Sequence, residues 1–141
     1  MALIPGLTGK ASVLVCGASR GIGLALCTAL LARDDVSRVW AVARHASAAD
    51  GLLALAQAHG ERVVLLDYDA RDELALTALA SEVGIACTHL HLVISTLGLL
   101  HQEGAKAEKS LGQLDLASLQ ASFATNAFAP ILLLKHLLPL L

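Results

Sequence analysis

Apolar positions along the chain follow two alternating rhythms. Residues 13–16, Val-Leu-Val-Cys, form an unbroken apolar run rich in β-branched side chains, the pattern of a parallel strand covered on both faces. From residue 21 the period becomes helical: Ile22, Leu26, Ala29 and Leu30 recur at helical spacing, and the pattern stops after Arg33 at Asp34-Asp35. A second strand is predicted over 38–43, Arg-Val-Trp-Ala-Val-Ala. Ser47 then offers a cap to a helix with the apolar stripe Leu52, Leu55 and Ala56, ended by His59-Gly60. A third strand follows over 62–66, and a third helix over 72–83 places Leu76, Leu79, Ala80 and Val83 on one face before Gly84. A fourth strand is predicted over 90–95. A polar loop with Gly104, Lys106, Glu108 and Lys109 leads to a long helix that starts at Leu116, is capped by Asp115, and bends near Pro130. Such strand-helix alternation implies right-handed crossovers. The fold class is α/β: a doubly wound parallel sheet with helices on both faces and strand order 3-2-1-4.

Composition narrows the function classes. The 141 residues suffice for one domain with its own core. A net charge of −2 supplies no basic field for nucleic acid or a membrane surface. Hydrophobic residues make up 56% of the chain but aromatics only 3%, so leucine and alanine must fill the interior. The most apolar stretch, residues 123–141, is interrupted by Asn126, Pro130, Lys135, His136 and Pro139, which argues against a membrane span. The N-terminus shows no basic segment followed by an apolar run, so no secretory signal is expected. Cys16, Cys27 and Cys87 have no paired spacing and read as reduced thiols of a cytoplasmic protein. Cys87, His89 and His91 would share one face of a strand in the manner of a metal site. They lie at the entry end of strand four with no evident fourth ligand, and a water-exposed strand start is the better account, so no metal is assigned.

The candidate chemistry sits where the first strand becomes a helix. Gly17 allows a tight exit from the strand, and Gly21 and Gly23 remove side chains where a helix must open close to a ligand. Free N–H groups and the positive end of the helix dipole then converge, which suits a diphosphate. The spacing G-x-x-x-G-x-G excludes both the G-x-G-x-x-G dinucleotide fingerprint and the phosphate loop ending in Gly-Lys-Ser/Thr. Within Gly17-Ala18-Ser19-Arg20-Gly21-Ile22-Gly23 it resembles the cofactor loop of the short-chain dehydrogenase/reductase family, usually Thr-Gly-x-x-x-Gly-x-Gly, with Cys16 in place of the threonine. Extended members carry glycine where Arg20 stands, so the resemblance is to the shorter, reductase-type branch. It implies a Rossmann-type NAD(P)-binding domain over 1–141, with Gly17, Ser19, Arg20, Gly21, Ile22 and Gly23 against the cofactor.

Ligands of such sheets bind outside the carboxyl ends of the strands. An NAD site wants an acid after the second strand, yet Arg44 stands there, 21 residues after Gly23. Together with Arg20 it would hold the 2′-phosphate of NADP (NADPH). After the third strand, Asp69-Ala70 followed by Asp72 resembles the family's Asp-Val-x-Asp, whose first acid meets the adenine amino group; Asp67 is the competing register, and Asp72 suits a helix cap. Ser95-Thr96-Leu97-Gly98 stands where the family usually has Asn-Asn-Ala-Gly, a wall of the adenine-ribose pocket. The run from Ser95 to His101, with Glu108-Lys109-Ser110, resembles reductases related to the bacterial C-factor. Asn126 resembles the family's active-site asparagine, whose distorted helix frees a carbonyl to hold a water in the proton relay. Pro130 makes a distortion there physically sensible, because it cannot donate to the carbonyl of Asn126.

The family's remaining chemistry needs a serine and a Tyr-x-x-x-Lys pair. Tyr68 is the only tyrosine and position 72 is aspartate, so that pair does not occur in these residues. The resemblance therefore covers this chain but only the cofactor-binding half of the enzyme. An NADP-dependent oxidoreductase is implied, passing hydride between nicotinamide and a small carbonyl or alcohol substrate; the alternative is a dinucleotide-binding module without catalysis. Strand four would be a sheet edge, and Leu132, Leu133, Leu134, Leu137, Leu138, Leu140 and Leu141 ring the last helix. The expectation is that the natural polypeptide continues past Leu141 and that a homo-oligomer forms through the long helix.

Overall fold

A computed structural model describes residues 1–100 and 108–141; His101, Gly104 and Lys106 lie outside the described residues. Strands β1 (Ala11–Cys16), β2 (Val36–Ala43), β3 (Val63–Asp67) and β4 (Leu92–Ser95) form one parallel sheet in the order β3-β2-β1-β4. Val13 is in register with Val39 on one side and Leu92 on the other, so β1 is paired on both edges. All six of its residues are buried, as its unbroken apolar run requires. No strand among the described residues pairs with the outer edge of β4.

Alternate residues of each strand feed two cores. On one face Val13, Val15, Val39 and Ala41 meet helices α1 (Gly21–Leu31) and α2 (Asp50–His59) through Cys27, Leu30, Leu31 and Leu52. On the other, Leu14, Trp40 and Val42 meet helix α3 (Glu73–Ala86) through Leu76, Leu79 and Val83. Helices α4 (Leu116–Phe123) and α5 (Ala129–Leu137) join through a five-residue wide turn, Ala124–Phe128. Ala129, Leu133 and Leu137 of α5 complete the second core.

The structure departs from the sequence expectation at several boundaries. The buried face of α1 is Gly23, Cys27, Leu30 and Leu31, whereas Ile22 is 74% exposed. The close approach of Gly23 to the turn before it sets that phase, not the leucine spacing. Ser47 does not cap α2; it lies in a short turn, Ala46–Ala48, and its N–H and hydroxyl both bond to Asp67. Gly84 does not end α3, which runs on to Ala86, and a Cβ there would only touch the Leu140 side chain at 3.5 Å. β4 begins at Leu92, two residues later than expected, and the Leu90 N–H donates to the Leu140 carbonyl at 2.7 Å and not across the sheet. The long helix is interrupted by the wide turn, with Pro130 at the second position of α5.

The helix from Leu116 to Leu140 is long and apolar enough to cross a membrane by length and composition. Its inner face is nevertheless committed to the sheet, and Lys135 (2.5 Å) and His136 (3.3 Å) both reach Glu73 of α3. Of its leucines, Leu133 and Leu137 are buried, while Leu134, Leu138 and Leu141 remain about half exposed.

Candidate functional site: a cleft at the carboxyl ends of the strands

After Cys16 the chain turns sharply. Gly17 takes φ +88°, and the N–H groups of Gly17 and Ala18 both donate to the Val42 carbonyl at 2.9 and 3.1 Å. Gly21 opens α1 with φ +54°, a conformation that costs an L side chain about 1–2 kcal/mol. Gly23 has no such backbone need. A Cβ on it would lie 2.1 Å from the Gly17 carbonyl oxygen, so its bare Cα is what lets α1 start against the turn. No side chain caps the N-terminus of α1 among the described residues, so its first turn, whose Gly21, Ile22 and Gly23 line the cleft, turns the positive end of its dipole there. Thr96, directly after β4, shares its hydroxyl proton between the carbonyls of Cys16 (3.0 Å) and Gly17 (3.1 Å). Thr96, which the sequence offered as a cofactor contact, lines the cleft, and its hydroxyl ties the β4 loop to the glycine turn.

The resulting cleft has a volume of about 360 Å³. It brings together Gly17, Ser19, Arg20, Gly21, Ile22, Gly23, Arg44, Asp69, Ala70, Thr96, Leu97 and Gly98. Ser95, the last residue of β4 and the partner of Cys16 across the sheet, is not among its lining residues. Arg20 and Arg44 are exposed at the wall, and neither has an ion-pair partner among the described residues. Cys16 also lines the cleft, and burial pushes its thiol up to about 12.

The two candidate acids after β3 separate. Asp67 is taken up by Ser47, which holds its carboxyl below the usual range. Asp69 lies in the cleft, where Arg71 grips it: Arg71 Nη2 is 2.6 Å from Oδ2 and Nε is 3.0 Å from Oδ1. This guanidinium holds the Asp69 carboxyl low, and Arg44 adds a weaker field. Sequence reading missed Arg71, although it stands two residues beyond Asp69. It also missed Tyr68, Leu99 and Thr125, which line the cleft. The Tyr68 hydroxyl donates to Glu82 at 2.6 Å, and that carboxylate pushes the phenol up from its ordinary value.

Asn126 sits in the wide turn, beside Thr125 but outside the cleft lining. Its Oδ1 accepts the Leu99 N–H at 2.7 Å and its Nδ2 donates to the Leu99 carbonyl at 2.8 Å. A side-chain amide thus mimics a strand partner for one loop residue and joins the long helix to the rim of the cleft. At the other end of the sheet, Cys87, His89 and His91 form the α3–β4 connection and are not on a strand. Cys87 and His91 meet at Ser12, whose N–H donates to His91 Nδ1 at 3.1 Å and whose hydroxyl meets Cys87 Sγ at 3.3 Å and the Trp40 indole at 2.9 Å, while the His89 carbonyl accepts from Cys87 at 3.0 Å.

A parallel sheet in this order, with a glycine turn feeding an uncapped helix above its carboxyl ends, is a Rossmann-like α/β fold. The sequence profile of the short chain dehydrogenase family matches residues 11–141, and the chain belongs to that family. It is 32% identical over 126 residues to norsolorinic acid ketoreductase of Aspergillus parasiticus, covering 86% of this chain and 44% of that one. It is 31% identical over 131 residues to the (S)-benzoin-forming benzil reductase of Saccharomyces cerevisiae, covering 92% and 48%. Among solved structures, NADPH-bound carbonyl reductase from chicken fatty liver superposes with a TM-score of 0.82 at 30% identity, covering 96% of this chain and 49% of that one. A Pseudomonas aeruginosa carbonyl reductase in complex with NADP does so with a TM-score of 0.82 at 30% identity, covering 94% and 54%. The chain spans about half the length of the curated relatives it matches.

Proposed function

We propose that this chain is the cofactor-binding half of an NADP-dependent short-chain oxidoreductase acting on a small carbonyl or alcohol substrate. The observation that carries the cofactor preference is the wall of the cleft: Arg20 and Arg44 stand there without ion-pair partners among the described residues, and no acid follows β2 within the cleft. The residues fit a phosphorylated dinucleotide. Gly17 and Gly23 let α1 open tight against the turn, where any Cβ would collide with Thr96 or Gly17, and the opening of α1 offers N–H groups to a diphosphate. Arg20 and Arg44 take the 2′-phosphate, each charge-assisted contact being worth about 1.5–3 kcal/mol before solvent screening at an exposed site. Asp69 accepts from the adenine amino group, with Ala70, Leu97 and Gly98 flanking it.

The nicotinamide cofactor supplies or receives the hydride. Asn126 acts from the rim of the cleft: its side chain holds Leu99 there, and its carbonyl, with no N–H on Pro130 to claim it, would hold a water that carries the proton. The proton donor itself is assigned to polypeptide outside these 141 residues, since no Tyr-x-x-x-Lys occurs within them. That same absence favours a second reading, a dinucleotide-binding module without catalysis. The exposed apolar residues of the long helix, among them Leu116, Phe123, Ile131 and Leu138, are where a second copy would dock, and the three free thiols fit a cytoplasmic setting.

Fluorescence titration with NADPH and NADH tests the cofactor reading. NADPH binding roughly ten- to a hundredfold tighter is expected, and equal affinities overturn it. Hydride transfer by the complete polypeptide, and none by the 141 residues alone, separates the enzyme from the binding module.

A further inference from the structure

The cleft holds a third guanidinium whose charge is already spent. Arg71 meets Asp69 as a fork, Nη2 to Oδ2 at 2.6 Å and Nε to Oδ1 at 3.0 Å, and its backbone N–H adds a third bond to Oδ1 at 2.9 Å. Arg44 leaves the neighbouring strand close by. Ala43 is paired with Asp67 across β2 and β3, and the Tyr68 N–H donates to the Ala43 carbonyl at 3.0 Å. Arg44 and Asp69 therefore follow one and two positions beyond a paired set of residues, and both face the same cleft. The favourable field of Arg44 at Asp69 agrees with that proximity. Yet Asp69 is bound to Arg71, and Arg44 has no ion-pair partner among the described residues.

We infer that Arg71 sets cofactor specificity indirectly: by occupying Asp69 it keeps that carboxylate off Arg44, and so leaves the Arg44 guanidinium to a phosphate monoester on the adenosine ribose. The inference rests on the NADP reading of this cleft. A carboxylate and a phosphate compete for the same planar fork of N–H donors. An unclaimed Asp69 would engage Arg44 from within the protein, and would also repel a phosphate dianion entering beside it. With the pair formed, Arg71 and Asp69 cancel, and Arg20 and Arg44 remain as the charges that the ligand meets. Arg71 is a positioning residue in this scheme; it acts through Asp69 and Arg44.

The test uses the complete protein with Arg71→Leu, Arg71→Lys, Asp69→Asn and the double variant Arg71→Leu/Asp69→Asn, each titrated with NADPH and NADH. The readout is the ratio of the two affinities, which a general loss of structure does not move. Arg71→Leu is expected to narrow the NADPH/NADH ratio by about tenfold, the low end for a charge-assisted contact at an exposed site. Arg71→Lys, which keeps the charge and loses the fork, falls between it and wild type. The double variant returns the ratio to within about twofold of wild type, because no carboxylate remains to claim Arg44. Asp69→Asn alone leaves the ratio at or above the wild-type value, so the inference stays testable even where the leucine variant is unstable. A ratio unchanged in Arg71→Leu, no rescue in the double variant, or a narrowed ratio in Asp69→Asn alone each overturns the inference. Wild type binding both cofactors equally instead overturns the NADP reading beneath it.

Discussion

Gly23→Ala is the sharpest test of how the glycine turn is built. The added Cβ would stand 2.1 Å from the Gly17 carbonyl oxygen, 2.8 Å from its carbon and 2.8 Å from Thr96 Oγ1. None of these can step aside cheaply. Gly17 is held through its N–H to Val42, and its carbonyl accepts the Thr96 hydroxyl, which also binds Cys16. Relief requires α1 to withdraw by about 1 Å from a close-packed turn, and overpacking of this kind costs about 1–3 kcal/mol or more. For a chain of this size that corresponds to a fall in Tm of roughly 3–12 °C. Two companions separate steric from conformational effects. Gly21→Ala meets no atom within 4 Å but must hold φ +54°, so it is expected to lose about 1–2 kcal/mol through backbone strain alone. Gly98→Ala meets neither obstacle and should be near neutral. Thermal unfolding and NADPH titration of the three variants should rank Gly23 worst in both measurements. Wild-type Tm and affinity in Gly23→Ala would refute the close approach of α1 to the turn.

Other expectations follow from the same site. Arg44→Asp should weaken NADPH by roughly ten- to a hundredfold and narrow its advantage over NADH, read by fluorescence titration. Asn126→Ala strands the N–H and carbonyl of Leu99 and should lower the urea midpoint by the equivalent of about 1 kcal/mol, together with NADPH affinity; an unchanged midpoint would show that the rim does not depend on it. Burial pushes the Cys16 and Cys27 thiols up from 9.0 to about 12 and about 11. Their contribution to stability is therefore full below pH 9.0 and is lost as the pH climbs towards those values, where the unfolded chain ionises first. Tm measured from pH 8 to 10.5 should fall less steeply in Cys16→Ala/Cys27→Ala than in wild type.

The strand order and the glycine turn were legible because each depends on short-range pattern: an apolar run, a spacing of three glycines, a change of period. The face of α1 was not. Its residues are apolar nearly all round, so leucine spacing could not choose a phase, and the contact of Gly23 with Gly17 chose Cys27 over Ile22. Ser47 looked like a cap because caps are local; Asp67, distant in sequence but adjacent across the sheet, outbid the helix for it. Gly84 looked like a terminator, yet nothing at α3 required a positive φ, and the helix passed through it. Most of the cleft was anticipated from positions just after strand ends. Arg71 was missed because a basic residue beside two acids reads as a solvated loop, and only its fork on Asp69 shows otherwise.

The wide turn Ala124–Phe128 makes the long helix a counting device. An α-helix advances about 100° per residue, so a turn that holds one residue more than the regular ladder rotates α4 by about that angle around the axis of α5. Where Leu116 and Leu119 point, relative to the buried Leu133, is then a matter of chain length and not of side-chain chemistry. Substitutions of equal length leave that setting intact. Deleting one residue within the turn would restore the regular α-helical ladder, swing the whole N-terminal segment to another face, and carry Asn126 away from Leu99. For relatives of this chain, a gap of one residue here would signal a reoriented surface where elsewhere it would signal only a shortened loop.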